Sequence, residues 1–455
     1  MKETKLYLID PFGSSNKFLP HRHFLRDWSG SYNTADIVFP PLDLMYLSSY
    51  LKKNGYQTEI IEASNKHLSP NKVVEILIKA QPNFVLIPST YFSIEDDKAL
   101  AKIIKKNVAK AKIIFSGPLV TYDPAVVLDE DIADFVALGE LESAVINIVE
   151  QRNYDNVAFK KDGEIIRGDR VLIDIDTLPI PDRESIDNDS YRYAVFNKRN
   201  PVTAMTISRG CPHSKCLFCP SGLFTLGEIR YRPKQEIFKE LEELKDKYNI
   251  GEIFFRDQAF TANRDLVVEI CNYMLKNGFD ILWRATTRVD LVDKELLLLM
   301  KKAGCYQISF GFETNLQEVL DANKKGITVE QSKSAAKWAK EAGMEILGLF
   351  MTGMDKDNVN NSRNLYEFML ELDVDYVSVN NCLLFPGASL YKEHSEKSKI
   401  IPYQEVKSKA GFSPEVRFYM RPSYLFRQLK KIRTISDMRF MLKAGFNILM
   451  SGFRK

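Results

Sequence analysis

The sequence predicts an α/β protein: an amino-terminal doubly wound parallel sheet, a partial (β/α)6 barrel, and a helical carboxy-terminal segment. Three observations predict it. Short apolar runs alternate with amphipathic stretches over residues 1–165. After a proline-stiffened stretch the alternation resumes as six strand–helix units, and at about residue 391 it stops. A chain of 455 residues is also too long for one hydrophobic core, so more than one domain is expected. The expected division is a first domain over 1–165, a linker over 166–196, the barrel over 197–390 and a basic helical segment over 391–455.

In the first domain, strands are expected at 6–9, 57–61, 84–87, 112–115 and 135–138. Helices are expected at 42–53, stopped by Asn54-Gly55, then at 73–80, 96–107 and from Glu142 onward. Strands alternating with helices of this length imply a parallel sheet with helices on both faces, whose ligands sit at the strand carboxyl ends. Turn-forming residues stand at those ends: Asp10-Pro-Phe12-Gly-Ser14, Pro88-Ser89-Thr90, Ser116-Gly117-Pro118 and Gly139-Glu140. Four such turns on one sheet edge predict a binding crevice.

Leu178-Pro-Ile-Pro-Asp182-Arg183 breaks helix and strand alike and reads as a linker. Barrel strands are expected at 203–208, 252–256, 281–286, 307–312, 345–351 and 376–381. The helices between them are expected at 234–248, 264–277, 294–303, 329–342 and 361–371. Reactive groups of a (β/α) barrel sit on loops after strand carboxyl ends. The most informative run in the chain, Ser208-Arg-Gly-Cys211-Pro-His-Ser-Lys-Cys216-Leu-Phe-Cys219-Pro220, follows the first of these strands.

Three thiolates on one loop can hold three irons of a cubane cluster and leave the fourth iron open to a small molecule. A structural zinc site would need a fourth Cys or His, and His213 inside the loop is the one local candidate. Six cysteines in a chain of this length are not a disulfide framework. Cys271, Cys305 and Cys382 lie alone in apolar stretches and read as core. Apolar residues make up 45% and charged residues 27%, the balance of an ordinary globular protein, and a net charge of +3 names no partner. No signal peptide or apolar run of membrane-spanning length is seen, so a reducing cytoplasm is the expected compartment. Residues 417–455 carry ten Lys or Arg against one acid, Asp437, among many aromatic and aliphatic residues. That pattern fits a packed helical cap, or a helix that docks peripherally on an anionic membrane or a lipid-like substrate.

The chain resembles the cobalamin-binding radical S-adenosylmethionine (SAM) enzymes over nearly its whole length. The resemblance rests on Pro40-Pro-Leu-Asp-Leu44, Ser116-Gly-Pro118, Leu138-Gly-Glu-Leu-Glu142 and the 178–183 linker. In the barrel it rests on Ser208-Arg-Gly-Cys211, Arg230-Tyr-Arg-Pro233, Phe254-Phe-Arg-Asp257, Ala303-Gly-Cys305, Gly311-Phe-Glu313 and Pro386-Gly387. It implies a Rossmann- or flavodoxin-like cobalamin domain and three cofactors: a [4Fe–4S] cluster on Cys211, Cys216 and Cys219, SAM, and cobalamin. Two departures stand out. The family's cysteine pattern is usually Cys-x3-Cys-x2-Cys, whereas four residues separate Cys211 from Cys216 here. And Phe12 stands where related domains place the histidine that binds cobalt, so a cobalt without a histidine beneath it is expected.

The chemistry the resemblance implies is cleavage of SAM to a 5′-deoxyadenosyl radical, hydrogen abstraction from an unactivated carbon, and methyl transfer from cobalamin. Phe218 is expected against the adenine, Asp257 and Glu313 at the ribose or ammonium, and Arg288 at the carboxylate of SAM. Ser89, Thr90, Ser116, Gly117, Gly139 and Glu140, with Phe12, are expected around cobalamin. Tyr231, Tyr306 and Tyr391 are candidates for proton or hydrogen handling. Partners implied are a small-molecule or lipid-like substrate and an electron donor such as flavodoxin or ferredoxin; no nucleic acid is expected. The same motifs suit a radical SAM cyclase or rearrangement enzyme, and a non-catalytic cobalamin or iron–sulfur protein. A methylthiotransferase is disfavoured, because the second three-cysteine set of those enzymes is missing.

Overall fold

The computed structural model describes residues 2–11, 39–191, 197–354, 356–357, 361–394, 401–402 and 413–429. Seven strands form the first sheet: β1 (Lys5–Asp10), β2 (Gln57–Glu62), β3 (Phe84–Pro88), β4 (Lys112–Ser116), β5 (Phe135–Ala137), β6 (Val157–Lys161) and β7 (Glu164–Arg167). Their order is β2-β1-β3-β4-β5-β6-β7. The first five are parallel, as their alternation with helices predicts. β6 and β7 instead form an antiparallel hairpin, whose second strand runs to Arg167, beyond the expected boundary at 165. The local signal for it is Asp162-Gly163, both at positive φ (52° and 85°), a two-residue turn that closes a hairpin without splaying it.

Strand order reverses between β1 and β3, so the crevice of this doubly wound sheet opens where Asp10-Pro11 and Ser89-Thr90 end those strands. Helices Leu42–Lys53 and Leu141–Glu150 cover one face through Leu44, Leu47, Ala144 and Val145. Helices Pro70–Ala80 and Ile94–Asn107 cover the other through Val73, Leu77, Leu100 and Ile104.

The linker stitches the two domains together through adjacent residues. Asp182 accepts hydrogen bonds from Ser48 Oγ and Lys52 Nζ of the first helix, both at 2.6 Å. Arg183, 1% exposed, donates to Ala204 O at 2.9 Å and to Glu240 Oε1 at 2.6 Å on the barrel side. Glu240 is itself fully buried and takes a second guanidinium, that of Arg232, at 2.6 Å. Buried charges persist only when paired in this way.

The second domain holds β8 (Val202–Met205), the two-residue strands β9 (Ser208–Arg209) and β10 (Arg230–Tyr231), then β11 (Glu252–Phe255), β12 (Leu282–Thr287), β13 (Cys305–Glu313), β14 (Glu345–Thr352) and β15 (Tyr376–Asn381). Six of these form a parallel sheet in the order β15-β14-β13-β12-β11-β8, a partial barrel. The first barrel strand is shorter than expected, because Ser208-Arg209 leaves the sheet to pair antiparallel with Arg230-Tyr231. Trp283, Phe310, Phe312 and Phe350 fill the interior; truncating a side chain as buried as Trp283 costs about 3–5 kcal/mol. Cys271, Cys305 and Cys382 are core residues, at most 1% exposed.

Beyond the barrel, helix Pro414–Met420 packs as a cap. Phe418 is fully buried in the barrel core, and Tyr419 Oη donates to Val377 O at 2.6 Å. Helix Pro422–Leu429 follows, with Leu425 45% and Phe426 60% exposed. The rest of the basic tail, from residue 430, lies outside the described residues, as does Phe12. Among the described residues, no helix is long and apolar enough to cross a membrane.

Candidate active site between two sheet edges

The cysteine loop leaves β9 through Gly210, whose φ of +111° and approach to the Glu228 carbonyl (a β-carbon would lie 1.9 Å from the oxygen) admit only glycine. Cys211, Cys216 and Cys219 are all half-buried free thiols. Cys219 N donates to Cys216 O at 3.1 Å, which curls the last turn of the loop. The fourth intervening residue is absorbed at Ser214, in the left-handed region (φ +42°), with its Oγ donating to Cys211 O at 2.6 Å. The neighbouring His213 is turned outward, where Nε2 donates to Lys324 O at 2.6 Å. It therefore braces the loop against the 323–326 turn, as does Leu217 N donating to Asn323 O at 3.1 Å.

Burial pushes the Cys216 thiol up to about 12, against the pull of Lys325 and, more weakly, Arg288. Burial also raises Cys219, although the hydroxyl and N–H of Ser221 donate to its sulfur. Among the described residues, no group of three or more His, Cys, Asp and Glu closes around a single ion position. The donor set fits an iron–sulfur cluster: three free sulfurs on one loop, hydrogen-bond donors at Cys219, and two cations beside Cys216 to balance thiolate charge.

Across from this loop stands the carboxyl edge of the first sheet. Gly117 (φ +117°) ends β4 so close to the β3 turn that a β-carbon would sit 1.9 Å from Ser89 O. Ser89 N donates to Ser116 O at 2.8 Å, and the Ser89 hydroxyl is buried without a hydrogen-bond partner. Thr90 folds its turn onto Ser93, the hydroxyls 3.0 Å apart. A backbone cradle with an orphaned hydroxyl fits a large ligand rich in amide groups, and cobalamin is one. The two edges meet. Tyr91, just past β3, bonds its hydroxyl to Pro386 O, and its ring lies 5.0 Å from that of Phe385. Tyr122 packs edge-on against Tyr391 at 5.6 Å. Leu217 and Phe218 of the cysteine loop join the cluster of Leu384, Leu390 and Tyr391. Burial, helped by Tyr391, Tyr122 and, least, Cys219, holds the Tyr91 phenol well above its usual value.

Comparison with known proteins matches the radical SAM superfamily model over residues 205–369 and the B12-binding domain model over residues 32–149. The two matched spans are the barrel and the creviced sheet. The chain belongs to the cobalamin-binding radical SAM family. An uncharacterized methyltransferase of Pyrococcus horikoshii is 28% identical over 418 residues, covering 86% of this chain and 90% of that protein. The anaerobic magnesium-protoporphyrin IX monomethyl ester cyclase of Cereibacter sphaeroides is 28% identical over 438 residues, covering 92% of this chain and 70% of that protein. Among solved structures, the radical SAM methyltransferase TsrM of Kitasatospora setae, with tryptophan substrate and a SAM analogue bound, superposes with a TM-score of 0.67 at 15% identity. That match covers 86% of this chain and 76% of TsrM. As a cobalamin-binding radical SAM enzyme, the chain uses a [4Fe–4S] cluster, SAM and cobalamin.

The side chains expected around SAM lie on the carboxyl ends of barrel strands. Phe218 precedes Cys219 and packs against Val319, Met354 and Cys382 on one side and the 384–391 loop on the other. Asp257 follows β11 and is engaged by its own neighbourhood: Oδ1 accepts from Ser208 N at 2.7 Å, Ser208 Oγ at 2.6 Å and Thr206 Oγ1 at 3.1 Å. It thereby fixes the turn that feeds the cysteine loop. Arg288 forks onto Asp290 (2.9 and 3.0 Å) and also donates to Lys325 O at 3.0 Å. Glu313 ends β13 in the left-handed region (φ +63°), with Oε1 2.6 Å from Lys325 Nζ. Of the expected cobalamin residues, Glu140 is paired with Arg230 and Arg209. Tyr231 and Tyr391 lie on the site side, near Cys211 and Phe218 respectively. Tyr306 does not: it sits near the amino-terminal end of β13, bonded to Glu252 Oε1 at 2.6 Å, so hydrogen handling at the site is not its task.

Sequence reasoning missed Lys325, His213 and Tyr91. Lys325 lies in Asn323-Lys-Lys-Gly326, a polar turn of the kind that normally faces water, yet it is buried, pairs with Glu313 twelve residues earlier and feels the Cys216 thiol. His213 reads from the sequence only as a candidate zinc ligand. Tyr91 directly follows the predicted Ser89-Thr90 turn, and that adjacency was the one available signal.

Proposed function

We propose that the protein is a methyltransferase that acts on an unactivated carbon of a small-molecule or lipid-like substrate held between the two sheet edges. The observation that carries this reading is that the cysteine loop and the glycine-lined crevice face each other across the 382–391 segment. When bound, the cluster and SAM supply a 5′-deoxyadenosyl radical for hydrogen abstraction, and cobalamin supplies the methyl group. Methyltransferases among the relatives support the reading. Cys211, Cys216 and Cys219 hold the cluster. Phe218 lies along the adenine, while Glu313 and Arg288 meet the polar groups of SAM. The Ser89 hydroxyl and the backbone at Thr90, Ser116, Gly117 and Gly139 receive cobalamin. Phe12 stands in the sequence where related domains place a histidine, so a bound cobalamin would take no histidine nitrogen from this position, and with its own base displaced its cobalt(II) form would show no nitrogen superhyperfine pattern. An electron donor of the flavodoxin or ferredoxin type reduces the cluster.

The test is anaerobic reconstitution with iron, sulfide and hydroxocobalamin, followed by assay for 5′-deoxyadenosine and S-adenosylhomocysteine. Both products together support methyl transfer. 5′-Deoxyadenosine alone favours the cyclase or rearrangement reading, for which the cyclase relative speaks. We also propose peripheral membrane contact through the basic tail, motivated by its ten Lys and Arg residues among aromatic and aliphatic ones. Co-sedimentation no stronger with anionic than with neutral vesicles would dismiss it.

A further inference from the structure

Two motifs from opposite halves of the chain are each other's partners. Arg209, two residues before Cys211, lies directly opposite Arg230 in the β9–β10 ribbon, so both side chains leave on the same face. They meet Glu140 and Glu142, which flank the start of helix Leu141–Glu150 just after β5. Arg209 grips Glu142 at two points, Nη2–Oε1 at 2.6 Å and Nη1–Oε2 at 3.1 Å, and lies 3.3 Å from Glu140 Oε1. Arg230 grips Glu140 the same way, Nη2–Oε1 at 2.5 Å and Nη1–Oε2 at 3.2 Å. The group is closed by backbone: Arg230 donates to Ile173 O at 2.6 Å, and Ile173 N donates to Glu140 Oε2 at 3.0 Å. All four charged side chains are at most 15% exposed. Beneath them lies the fully buried ring of Tyr46, 5.5 Å from the Arg209 guanidinium and 5.4 Å from that of Arg232.

Burial would raise Glu140, but Arg209 and Arg230 hold it below the usual carboxylate range. Each is a planar fork on a carboxylate, which fixes angle as well as distance. Two forks side by side resist rotation as one cannot. Two residues of chain reach at most about 7 Å, so a displacement at Arg209 passes almost undamped to Cys211. Glu140 in turn follows Gly139 at the lip of the crevice.

We propose that the pairs Arg209–Glu142 and Arg230–Glu140 form a clamp that sets the separation and angle between the cluster and cobalamin. The proposal rests on the reading that the cysteine loop and the crevice hold those groups. All four are positioning residues.

The test uses the full-length chain and the variants Arg209→Lys and Glu142→Gln, with Glu142→Asp as the conservative control. After anaerobic loading, iron and cobalt per chain are counted, and the magnetic interaction between the reduced cluster and cobalt(II) is read by electron paramagnetic resonance. The expected result is wild-type loading and an altered interspin splitting in Arg209→Lys and Glu142→Gln, with a several-fold rise in 5′-deoxyadenosine per S-adenosylhomocysteine. Glu142→Asp should fall between these and wild type. Unchanged splitting and unchanged ratio in both variants would overturn the proposal. If the wild type takes up no cluster or no cobalamin, the functional reading fails, and the clamp is judged on the unloaded chain by calorimetry. There, one transition in wild type and two in Glu142→Gln uphold coupling of the domains, and one in both overturns it.

Discussion

At the carboxyl edge of the first sheet, the groups on offer are backbone and hydroxyl: Gly117 against the Ser89 carbonyl, the partnerless Ser89 Oγ, and the folded turn of Thr90 on Ser93. At the carboxyl edge of the barrel they are thiols and ions: Cys211, Cys216 and Cys219, the Lys325–Glu313 pair, and Arg288 on Asp290. The contrast follows the cofactors. Cobalamin is large and is best held by shape and scattered hydrogen bonds. A cluster needs covalent sulfur ligands and compensating positive charge. One edge is thus sensitive to the volume of a single methyl group, the other to the loss of a single charged or sulfur atom.

The two edges should differ most at the thiols. Cys211→Ala, Cys216→Ala or Cys219→Ala should each abolish SAM cleavage while leaving cobalamin uptake near wild type, read as 5′-deoxyadenosine formed and cobalt per chain. A paired glycine experiment follows. Gly117→Ala places a β-carbon 1.9 Å from Ser89 O and should destabilise the first domain by about 1–3 kcal/mol or more, losing cobalt but keeping iron. Gly210→Ala, with the same clearance to Glu228 O, should do the reverse: iron falls and cobalt stays.

Two buried carboxyls separate the domain junction from the barrel floor by their response to pH. Glu140, at the domain junction, is held below its usual range by Arg209 and Arg230. Its contribution to stability is therefore present above the ordinary carboxylate range and lost as pH falls through its lowered value. Glu252, near the floor of the barrel, is raised by burial, which outweighs Arg284 and Tyr306. Its contribution is present below the ordinary value and lost as pH rises through the raised one. Denaturant midpoints across pH should show Glu140→Gln flattening the acid limb and Glu252→Gln flattening the fall toward neutrality. The smallest effect is expected from Ser89→Ala. Removing a buried hydroxyl without a partner should change stability by less than about 1 kcal/mol, yet speed cobalamin dissociation a few-fold.

Much of this was legible in the residues. The βα alternation yielded both parallel sheets, and the positions of the turns located both edges, because period and turn chemistry are local. The β6–β7 hairpin escaped, although Asp162-Gly163 announced it, because it interrupts an otherwise parallel pattern. The charged side chains were less legible. Ser208-Arg-Gly-Cys211 and Leu138-Gly-Glu-Leu-Glu142 were both recognisable as motifs, but nothing local says that Arg209 binds Glu142, 67 residues away. Asp257 looked ready for a ligand and is taken by the Ser208 turn. Lys325 looked like a surface lysine and is buried on Glu313. Partners far apart in sequence decide which polar groups face a site, and a single chain read linearly does not carry them.

An iron–sulfur cluster on the barrel edge opposite a cobalamin requires both metals to load onto one chain. The most direct measurement is the content of iron, labile sulfide, zinc and cobalt per chain in an anaerobically reconstituted preparation. One [4Fe–4S] unit and one cobalt per chain, with negligible zinc, are expected. Stoichiometric zinc, with a four-iron complement never attained on reconstitution, would rule the cluster out.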